Sequence, residues 1–335
     1  MRNSMKAFLV IFALGLLLIV GLFFGEVLFE NTYNFPSEIR YGVTFSSKYA
    51  QQLGLDWKQA YLQVLDELEV KYIRIPSYWN ENISDTDFMV EEAEKRGVKL
   101  ILVLGVKQPR WPECHIPDWA RGLSIKERQM ETLGFITEVV GKFEDNPSIQ
   151  YWQVENEPLL GLYGVGSFGL GCDPIDRDFL VTEVELVKKL SSKEIIISDS
   201  GEFGFWVIPM QISDVFGTTL YRTVYSNLIG YTSYPYLPYM YNLKASLIEA
   251  LFETKNQKTI IVELQAEPWS KLNNLKETPI EEQIELFSVN KFKSHIMYAR
   301  KTGFDEAYLW GVEWWYWMKE MGHPEYWEYA KSLFN

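Results

Sequence analysis

Short runs of apolar and β-branched residues alternate with segments of helical periodicity along most of the chain. The apolar runs predict strands at 40–45, 72–75, 100–104, 149–154, 195–197, 228–232, 259–264 and 307–310. Segments whose apolar residues recur every three or four positions predict helices at 56–68, 85–96, 125–143, 176–190, 215–225, 243–252, 280–301 and 324–333. The pattern therefore indicates eight strand–helix units.

Continuously apolar strands separated by helices are typical of a parallel sheet that is covered on both faces. Eight such units fit a single (β/α)8 barrel, and a doubly wound open sheet is the alternative. No stretch of low complexity divides the chain after residue 38, so we predict one α/β domain over residues 39–335.

Residues 7–25 form an uninterrupted apolar run with basic residues before it and acidic residues after it. The length is sufficient to span a membrane, and no small-x-small cleavage site follows. We therefore predict a transmembrane signal anchor over residues 1–25 and a tether over residues 26–38; a cleaved signal peptide is the alternative. The basic flank predicts that the N-terminus is inside and the barrel outside the cytoplasm, secreted if the segment is cleaved.

Charge and cysteine content exclude several classes of function. The net charge of −13 argues against binding to nucleic acid, which requires basic patches. The chain has only two cysteines, Cys114 and Cys172, so a four-cysteine zinc site is excluded. Because both follow neighbouring predicted strands of an exported chain, we predict that they form a disulfide. The G-x-G-x-x-G motif at 164–169 lies in a loop and not between a strand and a helix, so no nucleotide site is predicted.

Two predicted strands end in glutamates. The fourth strand runs into Asn156-Glu157-Pro158, where the proline ends the strand, and the seventh runs into Glu263. The carboxyl ends of barrel strands carry catalytic residues, and a pair of carboxylates there is typical of glycoside hydrolysis. We predict Glu157 as general acid/base and Glu263 as nucleophile. Glu267 follows Glu263 by four residues, so both side chains would lie on the same side of the strand if it continued that far. Glu267 therefore remains the alternative nucleophile.

With these motifs the sequence resembles the clan A glycoside hydrolases, most closely the family 5 endoglycanase-like barrels. The resemblance covers residues 40–333 and implies substrate-binding roles for five further residues. Asn156 would bind the sugar 2-hydroxyl, Arg74 would lie near the nucleophile, and Tyr234, after the sixth strand, would hydrogen-bond it. Trp310 on the eighth strand would lie under the sugar, and His115 after the third strand would contact the substrate.

The sequence departs from the family pattern at two positions. Thr232 stands where a histidine often precedes the tyrosine, and Leu264 stands where a glycine often follows the nucleophile. The resemblance implies a retaining β-glycanase or transglycosylase that acts on an extracytoplasmic oligo- or polysaccharide and needs no metal or organic cofactor. Many tryptophans follow predicted strands, which favours stacking on sugar rings.

Two other functions fit the predicted barrel less well. A catalytically silent, carbohydrate-binding barrel at the cell surface would explain the tryptophans but not the pair of glutamates. An enzyme of phosphorylated metabolites would need a glycine-rich phosphate loop after the seventh or eighth strand, and no clear one is present.

Overall fold

The computed structural model describes residues 38–110, 113–160, 175–226, 230–252, 254, 258–271 and 274–334. The predicted anchor and tether, and the glycine-rich motif at 164–169, lie outside these ranges. Among the helices described, none combines the length and the apolar character that crossing a bilayer requires.

Eight parallel strands close into a barrel. They are Arg40–Thr44 (β1), Tyr72–Pro76 (β2), Lys99–Leu104 (β3), Ile149–Val154 (β4), Ile195–Asp199 (β5), Val215–Leu220 (β6), Lys258–Gln265 (β9) and Glu306–Trp310 (β10). A separate antiparallel pair consists of Thr223–Ser226 (β7) and Gly230–Ser233 (β8). The barrel order is β1-β10-β9-β6-β5-β4-β3-β2, so each barrel strand pairs with the one before it. The predicted barrel is confirmed, and the open sheet is excluded.

Helices follow the strands and cover the outside of the barrel. They are Ser47–Leu53 (α1), Trp57–Asp66 (α2), Ile83–Lys95 (α3), Asp118–Arg121 (α4), Ile125–Phe143 (α5), Arg177–Leu190 (α6), Val207–Ile212 (α7), Tyr239–Phe252 (α8), Ile280–Leu286 (α9), Val289–Arg300 (α10), Val312–Glu320 (α11) and Glu325–Phe334 (α12). Several begin at a residue whose side chain accepts a hydrogen bond from the first turn, as Ser124 does for α5.

Apolar side chains fill the interior of the barrel. The interior cluster consists of Ile101, Tyr151, Ile196, Val215, Ile260, Val262 and Tyr308. At the start of β10, the carboxylate of Glu306 forms ion pairs with Arg40 and Lys258. Because the interior is filled in this way, a substrate can approach the inward-facing polar side chains only from the carboxyl ends of the strands.

The prediction of a helix at 215–225 is wrong. Residues 215–220 form β6, paired with β5 on one side and β9 on the other. Gly217 faces the interior, where an added Cβ would lie 2.7 Å from Val262 Cγ1, so only glycine fits. The predicted sixth strand at 228–232 instead falls in part on β8, within the separate antiparallel pair. Barrel strand six therefore comes earlier in the chain than the sequence indicated.

The predicted helix at 280–301 is interrupted. It consists of α9 and α10, and Ser288 caps the second of them by accepting a hydrogen bond from the Lys291 amide. Helix α11 was not predicted at all. Residues 312–318 are all buried, so this helix has no solvent-exposed polar face there. Its sequence therefore lacks the alternation of apolar and polar positions that predicts a surface helix.

Candidate functional site

Glu157 lies just beyond β4, where the chain turns sharply. Both Glu155 and Glu157 have positive φ, 59° and 44°. The main chain of Glu157 is held on both sides, since its amide donates to Ser198 Oγ at 2.9 Å and its carbonyl accepts from Lys107 Nζ at 2.7 Å. Its Oε1 accepts a 3.1 Å hydrogen bond from Thr219 Oγ1, and the residue is 8% exposed. The acid is therefore fixed in position at the end of the barrel.

Glu263 lies on β9 and is 3% exposed. Its Oε1 accepts a 2.8 Å hydrogen bond from Arg74 Nη1, and its Oε2 accepts one of 2.8 Å from the Tyr221 hydroxyl. A cation and a hydroxyl donor thus contact the two oxygens of the Glu263 side chain.

A β-bulge aims Glu263 into the barrel. Where β9 pairs with β6, Thr218 lies opposite Ile261 but the next residue, Thr219, lies opposite Glu263, so β9 contains one extra residue. The register between β9 and β10 also shifts. Val262 belongs to the interior cluster, so strict alternation would turn Glu263 outward. The extra residue lets both side chains face inward.

Arg74 joins the two strands that carry the glutamates. Its guanidinium is fully buried and donates to Gln153 Oε1 at 2.7 Å, to Glu263 at 2.8 Å and to Asn156 Oδ1 at 2.6 Å. The sequence resemblance implied that Arg74 lies near the nucleophile, and Asn156 is oriented by the same group. Three directed contacts leave the guanidinium little freedom to move.

The surroundings of Glu157 favour its protonated form. Burial raises the pKa of Glu157 well above its usual value, and the negative charges of Glu263 and Glu113 raise it further. Lys107 opposes this effect. Glu157 therefore retains a proton beside a carboxylate that is held by a cation, which is the division of roles that general acid catalysis requires.

Tyr221, and not Tyr234, hydrogen-bonds Glu263. The misassigned sixth strand led to this error, because the tyrosine that follows the true β6 is Tyr221. Tyr234 follows β8, and its ring packs edge-on against Phe203 at 5.4 Å between centroids. Recognising the β-branched run at 215–220 as a strand would have identified Tyr221 from the sequence.

We expect Tyr221→Phe to lower kcat/KM by about 10- to 100-fold on a glycoside that the protein hydrolyses, because a hydrogen bond to a charged group contributes about 1.5–3 kcal/mol. Tyr234→Phe is the comparison, since it removes a hydroxyl outside the Arg74–Glu263–Tyr221 set. Steady-state kinetics of both variants measure the difference. A larger loss in Tyr234→Phe than in Tyr221→Phe would contradict the assignment.

Glu267, the alternative nucleophile, interacts with a different arginine. It forms an ion pair with Arg110, whose second nitrogen contacts Glu313 Oε2 at 2.7 Å. Burial raises the pKa of Glu267 to about 7, against the charge of Arg110, which lowers it. The contacts to Arg74 and Tyr221 belong to Glu263, so the geometry favours Glu263 as the partner of Glu157.

Trp310 and His115 lie at the same end of the barrel. Trp310 is half-buried, and the Arg110 guanidinium lies 4.0 Å from its ring centroid, so one face of the ring is covered. His115 is fully buried against the Tyr78 ring, with Nδ1 3.3 Å from Asn80 Oδ1. Burial lowers the pKa of His115 to about 3, so the imidazole is neutral. Its predicted contact with substrate stays a prediction.

The tryptophans that follow the strands differ in their exposure. Trp206, Trp314 and Trp315 are completely buried in the core, so the prediction that they stack on sugars is wrong. Trp269 is 36% exposed and packs edge-on against Tyr221 at 5.4 Å between centroids. Trp269 therefore offers an accessible aromatic face next to the residue that binds Glu263. Trp111 lies outside the described residues.

Two buried carboxyl groups lie beneath this site. Glu155 accepts hydrogen bonds from the amides of Val106 and Lys107, and Glu183 of α6 lies beside it. Burial raises the pKa of Glu155 to about 7, and burial together with the charge of Glu155 raises the pKa of Glu183 well above its usual value. The pair therefore holds protons in the folded chain that both side chains release in the unfolded chain.

We expect stability to fall with rising pH because of this pair. Unfolded glutamates ionise near pH 4.5, so the free energy of unfolding decreases as the pH rises from about 4.5 through about 7. Glu183→Gln should flatten this dependence and raise the melting temperature at about pH 8 by about 2–4 °C relative to the parent. Thermal melts from pH 5 to 8 measure it, with the exposed Glu185→Gln of the same helix as control. Equal pH slopes for parent and Glu183→Gln would refute this assignment.

Cys114 is disulfide-bonded in the structure, whereas Cys172 lies outside the described residues. The Cys114–Cys172 pair stays a prediction. We expect no free thiol before reduction and both thiols after it, as measured by thiol titration of the unfolded protein. Within the described ranges, no three His, Cys, Asp or Glu side chains are grouped as metal ligands.

Comparison with known proteins shows similarity in structure only. No protein-family model and no curated protein matches the sequence. The fold is similar to that of a GH113 β-1,4-mannanase, with a TM-score of 0.54 at 13% identity over 89% of this chain and 99% of the other. It is also similar to a GH5_18 protein from Streptomyces cattleya, solved in complex with GlcNAc, with a TM-score of 0.52 at 12% identity over 82% of this chain and 70% of the other.

A third similar structure is a GH2 β-galacturonidase from Eisenbergiella tayi, with a TM-score of 0.51 at 14% identity. The match covers 82% of this chain and 43% of that protein. All three structures are proteins named as glycoside hydrolases or by a glycoside hydrolase family. The chain therefore shares the (β/α)8-barrel fold of these structures.

Proposed function

We propose that this protein is a retaining glycoside hydrolase that cleaves the O-glycosidic bonds of an oligo- or polysaccharide with Glu157 and Glu263. One observation carries the proposal. Glu157 and Glu263 are buried in one site; burial and neighbouring negative charge raise the pKa of Glu157 well above its usual value, whereas the carboxylate of Glu263 is bound by Arg74 and Tyr221. The two acids of a retaining hydrolase must differ in this way at the start of the reaction.

The first half of the reaction forms a covalent intermediate. Glu157 gives its proton to the glycosidic oxygen while Glu263 attacks the anomeric carbon, so the carbon–oxygen bond to the leaving group breaks and a glycosyl ester forms on Glu263. The leaving sugar departs as an alcohol. Arg74 and Tyr221 hold Glu263 so that one oxygen lone pair can reach the anomeric carbon.

The second half of the reaction releases the sugar. Esterification removes the negative charge of Glu263, which is one cause of the raised pKa of Glu157. Glu157, now ionised, accepts a proton from water, and the oxygen of that water attacks the anomeric carbon and frees Glu263. Two inversions leave the anomeric configuration unchanged.

The substrate class follows from the surroundings of the site. Buried acids outnumber buried cations there, which disfavours uronates and favours neutral sugars, and Trp269 and Trp310 offer aromatic surface. The GH113 neighbour is named as a β-1,4-mannanase, so β-mannans belong among the first substrates to test. We extend the proposal to an extracytoplasmic polysaccharide, because the apolar run at 7–25 has the features of a membrane anchor.

A panel of β-glucans, β-mannans and chitin oligomers tests the proposal. We expect release of reducing ends from at least one of them, and proton NMR of the first product should show the β-anomer before mutarotation. An initial α-anomer would show inversion and contradict the covalent mechanism. Binding of a glycan without any hydrolysis, on the same panel, would support the catalytically silent barrel instead.

A further inference from the structure

Arg110, in the loop after β3, contacts two aromatic rings at the end of the barrel. The centre of its guanidinium lies 3.8 Å from the ring centroid of Tyr49 in α1 and 4.0 Å from that of Trp310 at the end of β10. Arg110 is only 6% exposed. A planar guanidinium stacks on aromatic faces, and the attraction is stronger where water is excluded. Arg110 therefore holds the indole of Trp310 from one face.

Two carboxylates fix the orientation of this guanidinium. Glu267, just beyond β9, forms an ion pair with Nη1, and Glu313, at the start of α11, accepts a 2.7 Å hydrogen bond from Nη2. Glu313 is completely buried, and its other oxygen accepts a 2.6 Å hydrogen bond from the Ser46 amide. The guanidinium plane cannot turn without breaking one of these contacts. Its charge is paired within the protein, so Arg110 acts on a ligand through the ring that it contacts.

The main chain of Arg110 is also held by its surroundings. Its φ is 79°, a conformation that residues with a Cβ seldom adopt. Its carbonyl accepts a 2.8 Å hydrogen bond from the Glu113 amide, and the carbonyl of Pro109 accepts one of 2.9 Å from the Tyr78 hydroxyl. Strain of this kind persists where the surrounding structure imposes it, and it is concentrated at functional sites.

Trp310 points into the same end of the barrel as Glu263. Tyr308, two residues earlier on β10, belongs to the interior cluster, so Trp310 lies on the inner face of the strand. On the neighbouring strand β9, the residue opposite Trp310 is Gln265, two residues after Glu263. Because Arg110 covers one face of the half-buried indole, a sugar ring can stack only on the other face.

We propose that Arg110 is a positioning residue, which fixes the indole of Trp310 as the surface on which the sugar stacks while Glu263 attacks its anomeric carbon. The role of this surface in turnover rests on the proposed function. The effect of Arg110 on the Trp310 ring exists whether or not the protein hydrolyses a glycoside, so it can be measured without a substrate.

Fluorine NMR of the full-length protein labelled with 5-fluorotryptophan measures the state of this ring. The Trp310 signal is the one absent from Trp310→Phe. Arg110→Lys keeps the positive charge but removes the planar group, so the Trp310 signal should change its shift and broaden. The signal of Trp327, which donates to Glu67 far along the chain, should not move. Arg121→Lys, at an exposed arginine of α4, is the control and should move neither signal.

An unchanged Trp310 signal in Arg110→Lys overturns the proposal. A change of the Trp327 signal as large as that of Trp310 also overturns it, because Arg110 would then support the whole fold. Tyr49→Leu is the second variant if Arg110→Lys does not fold. It removes the other ring that contacts Arg110 and leaves its ion pairs in place, so it should move the Trp310 signal in the same way.

Kinetics test whether Arg110 acts through Trp310. On a glycoside that is hydrolysed, Arg110→Lys should raise KM by about tenfold and leave kcat within about threefold of the parent, because stacking on the indole binds substrate and transition state alike. In the Trp310→Ala background, Arg110→Lys should raise KM no further. A full additional increase there would make Arg110 a direct substrate contact and contradict the proposal. A moved Trp310 signal in a protein without hydrolysis contradicts only the proposed function.

Discussion

Glu263→Ala is expected to lower kcat by about 10⁴-fold or more on any glycoside that the parent protein hydrolyses, because it removes the group that forms the covalent intermediate. The vacated volume lies between Arg74 Nη1 and the Tyr221 hydroxyl, each of which contacts the Glu263 carboxylate at 2.8 Å in the parent. A small anion can occupy this volume. Added azide should therefore restore turnover and attack the anomeric carbon from the same side as Glu263, giving a glycosyl azide of inverted configuration.

The matched variant for this experiment is Glu267→Gln. It removes the charge of the other glutamate on the same segment, one that is paired with Arg110. It should not gain activity on addition of azide. If Glu267→Gln loses activity while Glu263→Ala stays near the parent, the nucleophile is misassigned and the alternative considered from the sequence is correct. Circular dichroism of both variants establishes that they are folded.

Glu157→Gln is expected to cause the second large loss of activity, and the size of this loss should depend on the leaving group of the substrate. General acid catalysis contributes about 10²- to 10⁴-fold, so substrates with poor leaving groups should slow by that factor. Aryl glycosides with acidic phenols need no proton and should form the glycosyl enzyme at a rate close to that of the parent. Because burial and neighbouring charge raise the pKa of Glu157, the basic limb of the pH profile should also disappear in this variant.

The configuration of the product formed with azide distinguishes Glu157→Gln from Glu263→Ala. In Glu157→Gln the intermediate on Glu263 still forms, and azide attacks it from the opposite face, so the glycosyl azide should retain the configuration of the substrate. An equal loss of rate for good and poor leaving groups would argue that Glu157 positions the substrate and does not donate a proton.

The sequence by itself determined the fold and indicated the two glutamates that we propose as the catalytic pair. Continuous apolar runs such as 100–104 are buried on both faces, and the periodicity of 125–143 reproduces the limits of α5. Asn156-Glu157-Pro158 could be placed at a strand end because proline stops the ladder. These signals are local, since each depends on residues that are neighbours in the chain.

Only the tertiary structure decided how the residues meet. The bulge in β9 turns Glu263 inward against strict alternation, and that bulge depends on the register with β6 and β10. Tyr221 reaches Glu263 because β6 neighbours β9. Burial likewise set the raised pKa of Glu157. Register, burial and the contacts between distant segments arise from the whole packed chain, and no local pattern encodes them.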